Sequence, residues 1–367
     1  MKKKSYAVGC ILLLILLATS GCLDFFKNES DGITYGPYPA KIQYSISYGY
    51  SISCRGAGEF DIVYDCDLPE VLVEENPPDI IYFDNNYEEI TLVNNSMVTW
   101  NISKEENNYY NYYNLGLTAN IVTESFVVSD LNGIGALTIQ GIAQQHPDVL
   151  EQYGHAQANE TGIVFIDPND SGIKKTAEDV LNDVDSSNSF VIAKSLFIWL
   201  KGHTYYKAHP KDDETIQTAN VTKELGYGDC DDLSFLYISL CRSVGIPARF
   251  IRGFTVSRNQ AVPHAWAEVF VGGGIGNEGW IPVECACNSS DMNIQINQNF
   301  AIETADHLRL FIDQGSNESL IVSLSGIKVR YEKDRMVVEI EPIAVINSYS
   351  AEEKELRVDE NNHRYYI

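Results

Sequence analysis

The sequence predicts an α+β protein in which a β-sandwich-like domain precedes a domain of helices packed on an antiparallel sheet. Between residues 40 and 142, short runs rich in Tyr, Val, Ile and Thr alternate with clusters of Asn, Pro and Gly, as is typical of a β-sandwich. From residue 143 to 209 the apolar spacing becomes helical. Further on, two strand-like runs flank the glycine-rich turn GGGIGNEG, which predicts a hairpin.

The size and charge of the chain restrict the classes of function. Its 367 residues, 44% of them apolar, can bury a large core and are enough for two domains. The formal net charge of -25 would repel nucleic acid and anionic lipid, so neither is an expected partner. The simplest interpretation is an acidic surface that keeps the protein soluble.

The first 22 residues are typical of an export signal, with a basic start, an apolar core and an exit of small residues that ends in Cys22. Thr-Ser-Gly-Cys resembles a lipobox, in which the cysteine becomes the lipidated first residue of a lipoprotein. The alternative is a short uncleaved anchor, although its apolar run is below the ~20 residues that span a membrane. Either way, we expect a membrane-anchored extracellular protein, and eight N-x-S/T sequons fit a glycoprotein.

Cys230 is the candidate nucleophile. It ends the glycine-punctuated turn GYGDC and is followed at once by apolar residues at helical spacing. At the first turn of a helix, backbone N–H groups and the positive end of the dipole favour the thiolate. The neighbouring Asp229, Asp231 and Asp232 act in the opposite direction, because like charge disfavours ionisation. One of them is the expected N-cap, and a protonated histidine would be needed to hold the thiolate.

His264 can supply that imidazole, since it lies 34 positions further on in the strand-like run PHAWAEVFV. A second run, WIPVE, follows the glycine-rich turn. If the hairpin folds symmetrically about Gly274, facing residue numbers sum to 548, which places Glu284 opposite His264. Carboxylate, imidazole and thiol could then form a relay.

Four motifs in order, GYGDC, GIPAR, HAWAEVFV and GWIPVE, resemble the core of the transglutaminase-like superfamily between about residues 165 and 286. The papain-like members of that family use Cys, His and Asp in this chain order. The resemblance implies a papain-like fold with Cys230 as nucleophile, His264 as general base and acid, and Glu284 as the residue that orients the imidazole. Glu284 stands where the family usually has Asp.

The resemblance implies a thiol enzyme that forms an acyl-enzyme on a peptide or protein amide, for example in the cell envelope. Water as acceptor would make it a cysteine peptidase or amidase, a hydrolase, and an amine would make it a protein-glutamine acyltransferase. Animal members carry Gln before and Trp after the cysteine, where this chain has Asp229 and Asp231, so their substrate preference does not transfer. Tyr205 and Tyr206 are candidate walls of the cleft. The alternative function is a non-catalytic surface adhesin or binding module.

No cofactor and no metal site are expected. The run DPNDSGIKKTAE, residues 167–178, fits the spacing of a calcium loop, but a helix-capping turn is the favoured interpretation. A zinc site built from Cys230, His264, Cys285 and Cys287 would require strand neighbours with opposite facing to converge.

Disulfides are expected in an exported protein, and Cys54 and Cys66 could close one across a hairpin. Cys241 shares a helix face with Cys230 but lies roughly 16 Å away along the axis, too far to bridge it. A bond from Cys241 to Cys285 or Cys287 would leave the nucleophile reduced.

The predicted division of the chain follows from these observations. The segments are a signal peptide at 1–22, a polar tether at 23–39, a β-rich domain at 40–142, a transglutaminase-like catalytic domain at 143–300, a β extension at 301–349 and a charged tail at 350–367. The extension would form a small terminal sheet or complete the sheet of the first domain. The tail is expected to fray.

Overall fold

The computed structural model describes residues 32–71, 78–83, 90–93, 96–105, 109–209, 216–320 and 326–367. The predicted signal peptide and the lipobox at Cys22 lie outside the described residues. Within the described residues, none of the helices has the length and apolar character that crossing a membrane requires.

The N-terminal third of the chain folds into strands, as its alternating pattern predicts. They are β1 (Ile33–Gly56), β2 (Phe60–Asp67), β3 (Asp79–Tyr82), β4 (Ile90–Val93), β5 (Met97–Lys104), β6 (Tyr109–Glu124) and β7 (Phe126–Val127). In β2, for example, Phe60, Ile62, Tyr64 and Cys66 are buried while the residues between them are more exposed. This period of two gives each strand one face for a core.

The middle of the chain is mixed. Its helices are α1 (Ile139–Gln145), α2 (Pro147–Tyr153), α3 (Ser171–Asp183), α4 (Ser189–His203), α5 (Ala219–Leu225), α6 (Cys230–Ser243) and α7 (Met292–Asn299). Its strands are β8 (Gln157–Ala158), β9 (Val164–Ile166), β10 (Tyr205–Tyr206), β11 (Tyr227–Gly228), β12 (Ala248–Val256), β13 (Ala261–Phe270), β14 (Trp280–Val283), β15 (Ile302–Glu303) and β16 (His307–Ile312). The C-terminal strands are β17 (Ile327–Tyr331), β18 (Met336–Val358) and β19 (Arg364–Tyr366).

Two of the sheets enclose the β-sandwich core. One has the order β19-β18-β1-β6-β3 and the other β17-β2-β5-β4. Ile46, Leu117 and Trp100 are fully or almost fully buried in the shared core, and the ring of Tyr64 stacks on that of Trp100 at 5.4 Å. The predicted sandwich is confirmed.

The part of the fold that contains Cys230 and His264 is a sheet of order β14-β13-β12-β16 with helices packed on it. Helix α6 lies against β13 and also contacts α3, α4 and α5. Its buried side chains, such as Leu233 and Leu236, join Ala265, Ala267 and Val269 of β13 in one apolar core. The fold is therefore the predicted α+β arrangement of helices on an antiparallel sheet.

The C-terminal residues complete the N-terminal sheet, which was one of the two expected outcomes. Strand β18 pairs with β1 from Ile33 opposite Val358 to Gly56 opposite Met336. The charged tail does not fray as expected: residues 350–358 belong to β18, and Arg364 in β19 is fully buried. The high charge of the tail suggested fraying, but the hydrogen bonds of one buried arginine and the pairing of β18 hold the tail in place although most of its charges are exposed.

Two further expectations need correction. Strand β1 begins at Ile33, so the last residues of the expected tether are paired with β18 instead. The expected disulfide between Cys54 and Cys66 is not formed; both residues are buried thiols, on β1 and β2 of opposite sheets. Sequence spacing suggested a hairpin partner, whereas β2 pairs with β5 and β17.

Candidate active site

Cys230 is the first residue of α6, and the turn before it is built for that position. The Asp229 side chain accepts hydrogen bonds from the backbone N–H groups of Asp231 and Asp232, and the Asp232 carboxylate accepts one from Asp229 N–H. This reciprocal capping box holds the start of the helix. A Cβ at Gly228 would lie 2.5 Å from the Asp232 side chain, so the turn requires glycine there. The expected N-cap is therefore Asp229.

The packing of α6 on β13 brings the cysteine to the strand that carries His264. The backbone N–H of Ala265, the residue after His264, lies close enough to the thiol of Cys230 to act on its pKa and lower it. Cys230 is partly exposed, which suits a group that must meet a substrate. Nucleophile and imidazole therefore lie at the same edge of the helix–sheet interface.

His264 and Glu284 are joined directly, with 2.6 Å between Nε2 and Oε2. The register differs from the symmetric hairpin: Ala267 faces Val283 and Phe270 faces Trp280, so facing numbers sum to 550 rather than 548. A shift by two residues keeps Glu284 on the same face but makes it a diagonal neighbour of His264. The extra methylene of glutamate gives the carboxylate reach along that diagonal.

The second oxygen of Glu284 is also held. Oε1 accepts a hydrogen bond from the backbone N–H of Ala286 at 2.6 Å. Burial alone would raise the pKa of Glu284, but the charges and hydrogen bonds of His264 and His307 hold it well below its ordinary value. Glu284 is therefore an oriented carboxylate, and the Nδ1 atom of His264 is left for the thiol proton.

His307 is a further member of the cluster, which the sequence analysis missed. Its Nε2 lies 3.2 Å from Oε2 of Glu284, and its Nδ1 lies 3.2 Å from Oδ1 of Asp306. Burial would lower the pKa of His307, but the hydrogen bonds and charges of Asp306 and Glu284 raise it well above its ordinary value. His307 lies at the start of β16, in the segment expected to be a mere extension.

The thiol lies in an environment that opposes its ionisation. Burial raises the pKa of Cys230 well above its ordinary value, and the charges of Asp231 and Asp229 add to this. The N–H of Ala265 acts in the opposite direction. Burial and Asp229 also raise the pKa of Asp231, to about 7. The cysteine therefore stays protonated at neutral pH until a base takes its proton.

Tyr205 and Tyr206 are the predicted walls of a cleft near Cys230, and one of them lies beside its thiol. Burial, followed by the charges of Cys230 and Asp229, raises the pKa of Tyr206 to about 12, which places this ring beside the nucleophile. The neighbouring Tyr205 is 53% exposed, and its ring lies 5.7 Å from that of Tyr227 with a tilt of 38°. Strand β10 holds both tyrosines by pairing with β11, directly before Cys230.

Metal-ligand spacing occurs at two places among the described residues. The ligand atoms of His264, Glu284 and His307 lie within 4.8 Å of one another, as do those of His209, Asp229 and Asp232. In the first group a nitrogen and an oxygen are only 2.6 Å apart, which is a direct hydrogen bond rather than a bridge through a cation. In the second, the carboxylate oxygens of Asp232 already accept hydrogen bonds from backbone N–H groups. We interpret the first as a proton relay and the second as a helix cap.

The other metal and cysteine hypotheses fail on geometry. Cys285 is fully buried with its thiol towards the carbonyl of Val283, and the thiol of Cys287 lies 2.8 Å from Oε1 of Gln295, so no zinc set forms with Cys230. Helix α3 begins at the fifth place of the calcium-loop pattern, and Asp170 caps it by accepting from two backbone N–H groups. That run is therefore the helix-capping turn. Cys241 and Cys285 are buried thiols that form no disulfide.

Comparisons with known proteins find one matching family and several similar folds. Residues 174–285 match the family model of the transglutaminase-like superfamily. Among curated proteins, none matches the chain. The fold is similar to that of a candidate cysteine protease from Cytophaga hutchinsonii, with a TM-score of 0.50 and 15% identity over 84% of this chain and 98% of that one. It is also similar to the periplasmic domain of TgpA from Pseudomonas aeruginosa, with a TM-score of 0.32 and 10% identity over 74% and 96% of the two chains.

The matched segment contains Cys230, His264 and Glu284 but ends before Asp306 and His307. The resemblance first read from four short motifs is thus found over the whole stretch that positions the candidate relay. Residues 174–285 therefore form a core of the transglutaminase-like superfamily.

Proposed function

We propose that the chain is a thiol enzyme that forms an acyl-enzyme at Cys230 on the amide of a peptide or protein. The observation that carries the proposal is that His264 and Glu284 form an oriented imidazole–carboxylate couple beside Cys230. Cys230 is at the N-terminus of a helix, and its thiol lies close to Ala265, the residue after His264. This arrangement of nucleophile, base and orienting acid is the one that nucleophilic catalysis needs.

The first half-reaction begins when His264 takes the proton of Cys230 and the sulfur attacks the amide carbon. The oxygen of the tetrahedral intermediate is negative, and the backbone N–H of Cys230, at the N-terminus of α6, is the donor suited to stabilise it. His264 then gives its proton to the leaving amine as the C–N bond breaks, which leaves a thioester on Cys230. Glu284 stabilises the imidazolium between the two proton transfers.

In the second half-reaction, water or an amine attacks the thioester and His264 removes the proton of the acceptor. The C–S bond then breaks, the acyl product leaves, and His264 returns the proton to the sulfur to restore the thiol. Water makes the protein a peptidase or amidase, and an amine makes it an acyltransferase. The carboxylates of Asp229 and Asp231 beside the sulfur would attract a cationic amine and oppose an acidic substrate. They do not distinguish an amine acceptor from a basic peptide.

Two products distinguish the acceptors. The full chain is incubated with a denatured protein substrate and a fluorescent primary amine, and new N-termini are counted against incorporated amine. Both activities should disappear in Cys230→Ala and His264→Ala, whereas Cys287→Ala, which removes another partly exposed thiol, should retain them. If neither product forms and iodoacetamide alkylates Cys230 at the same rate with and without His264, the non-catalytic adhesin or binding module is the better interpretation.

We also propose that the protein is lipid-anchored on the extracellular side of the membrane through Cys22, on the basis of its export signal and lipobox-like sequence. Detergent phase partitioning of the expressed chain tests this. Cys22→Ala should move the protein to the aqueous phase, whereas Cys10→Ala, which replaces another cysteine of the same leader, should leave it in the detergent phase. Retention of Cys22→Ala in the detergent phase would favour the uncleaved anchor.

A further inference from the structure

His307 occupies a position that the proposed relay of Cys230, His264 and Glu284 does not explain. It lies at the start of β16, where Thr255 of β12 is its partner across the sheet. Its ring is 5.4 Å from that of His264 and 4.9 Å from that of Trp266. Both histidines direct Nε2 at the same oxygen of Glu284, at 2.6 and 3.2 Å.

A carboxylate on the far side fixes this second ring. Asp306 Oδ1 lies 3.2 Å from Nδ1 of His307 and also accepts a hydrogen bond from the hydroxyl of Thr304. Burial would raise the pKa of Asp306, but the hydrogen bond and charge of His307 hold it below its ordinary value. With a carboxylate at each ring nitrogen, His307 is held as a cation.

We propose that His307 is a positioning residue of the thiol enzyme: it holds Glu284 Oε2 against His264, and its charge limits how tightly His264 binds a proton. The inference rests on the proposed function. A catalytic base that later has to give its proton to a leaving amine works better if a neighbouring positive charge limits its proton affinity. Glu284 alone would stabilise the imidazolium more strongly, and His307 offsets part of that charge.

Other charged groups face His307 and enter the same balance. Besides Asp306, Glu284 and His264, the cavity beside its ring is lined by Glu70, Glu124, Glu303 and Arg309. Arg309 is engaged by Glu303 and Glu268 at 2.5 to 2.8 Å, so its charge is largely compensated. The charge of His307 is shared in the same way between Asp306 and Glu284, and its ring lies 5.4 Å from that of His264.

The proton affinity of His264 can be measured directly by NMR titration of 13C-labelled histidine in the full chain, where seven histidines give signals. A Cys230→Ser background removes ionisation of the thiol, and His264→Ala assigns the signal. His307→Gln keeps an N–H donor near Oε2 and removes the charge. For unit charges 5.4 Å apart at an effective dielectric constant of about 20, the interaction corresponds to about 2 pH units. Because Asp306 offsets part of the charge of His307, the midpoint of His264 should rise by about 1 to 2 pH units.

Three variants complete the test. Asp306→Asn, which takes one carboxylate from His307 but leaves its hydrogen bond to Glu284, should lower the His264 midpoint because the charge of His307 is then less compensated. This variant serves if His307→Gln does not fold. His155→Ala, at an exposed histidine bonded to the carbonyl of Glu151, should leave the midpoint unchanged. With Cys230 intact, iodoacetamide should alkylate Cys230 about tenfold more slowly at pH 7 in His307→Ala than in His307→Gln. The alanine variant also loses the hydrogen bond that holds Glu284.

The outcomes separate the two proposals. An unmoved His264 midpoint in His307→Gln and Asp306→Asn, with only a lower melting temperature, would overturn the positioning role and leave the thiol enzyme intact. Alkylation of Cys230 that does not depend on His264 would overturn the proposed enzyme, whatever the NMR midpoint does.

Discussion

Replacing Asp231 by Asn tests whether an acidic residue beside the nucleophile both weakens the fold and restrains the thiol. Asp231 directly follows Cys230 in the first turn of α6. Burial, with the negative charge of Asp229, raises its pKa to about 7, while Arg252 and His264 act in the opposite direction. Asparagine keeps the size of the side chain and removes the ionisation.

The magnitude follows from linkage between folding and protonation. The folded chain binds the proton of Asp231 with a pKa of about 7, against 3.8 for an unperturbed aspartate. The destabilisation is therefore absent below pH 3.8, grows as the pH rises, and is complete above pH 7. The full shift corresponds to ~4 kcal/mol, which we reduce to ~2–3 kcal/mol because the side chain is partly exposed.

Urea unfolding followed by tryptophan fluorescence at pH 5 and pH 8 measures this effect. Asp231→Asn should gain about 1–2 kcal/mol more stability over the wild type at pH 8 than at pH 5. Asp148→Asn, at an exposed aspartate in the first turn of α2, is the matched control and should show equal differences at both pH values.

The same variant should alter the reactivity of Cys230. Removing one negative charge beside the sulfur lowers the cost of the thiolate, so alkylation of Cys230 by iodoacetamide at pH 8 should be about tenfold faster than in the wild type. A pH-independent stability change together with an unchanged alkylation rate would refute the electrostatic reasoning.

Three further predictions concern the site and the buried charges. Glu284→Gln should lower the acyl-enzyme rate by at least ~10²-fold, while Glu284→Asp should retain part of it; stopped assays of kcat/KM would check both, and equal losses would contradict a role for charge. Burial would raise the pKa of Glu268, but Arg309 and Arg249 lower it to about 2. Its contribution of roughly 3 kcal/mol to the free energy of unfolding is therefore present above pH 4.5 and lost as the pH falls towards 2. In urea unfolding, Glu268→Gln should reduce this loss of stability at acid pH. Arg364→Met should lower the free energy of unfolding by ~3–5 kcal/mol because buried carbonyls lose their donor, whereas Arg335→Met, at an exposed arginine, should change it by under ~1 kcal/mol.

The sequence contained enough to predict the nucleophile turn and the strand that faces it. Cys230 and His264 lie in local patterns, a capped helix start and an alternating strand, whose structure is set by near neighbours. Glu284 was found through an assumed symmetric turn whose register is wrong by two residues. Glu284 still lies on the predicted face of the strand, because side chains in a strand alternate with a period of two and the register error is two residues.

The parts that were missed depend on contacts far apart in the chain. His307 reaches Glu284 only because β16 pairs with β12, and the residue pattern of the run HLRLFI does not predict that pairing. Arg364 looked like one charge among many, yet its guanidinium donates to four carbonyls, those of Val128, Asn297, Phe300 and Ala301. Local pattern and composition carry no signal for either contact.

The pairing of β1 with β18 has a consequence for the order in which the molecule is assembled. The first strand pairs with a neighbour that is synthesised about 300 residues later, after helix α6 and strand β13. During that interval one edge of β1 is uncovered, and such an edge is prone to associate with other chains. Nascent or truncated forms that lack residues 336–358 should therefore depend on holding chaperones, although the segment with Cys230, His264 and Glu284 is already synthesised.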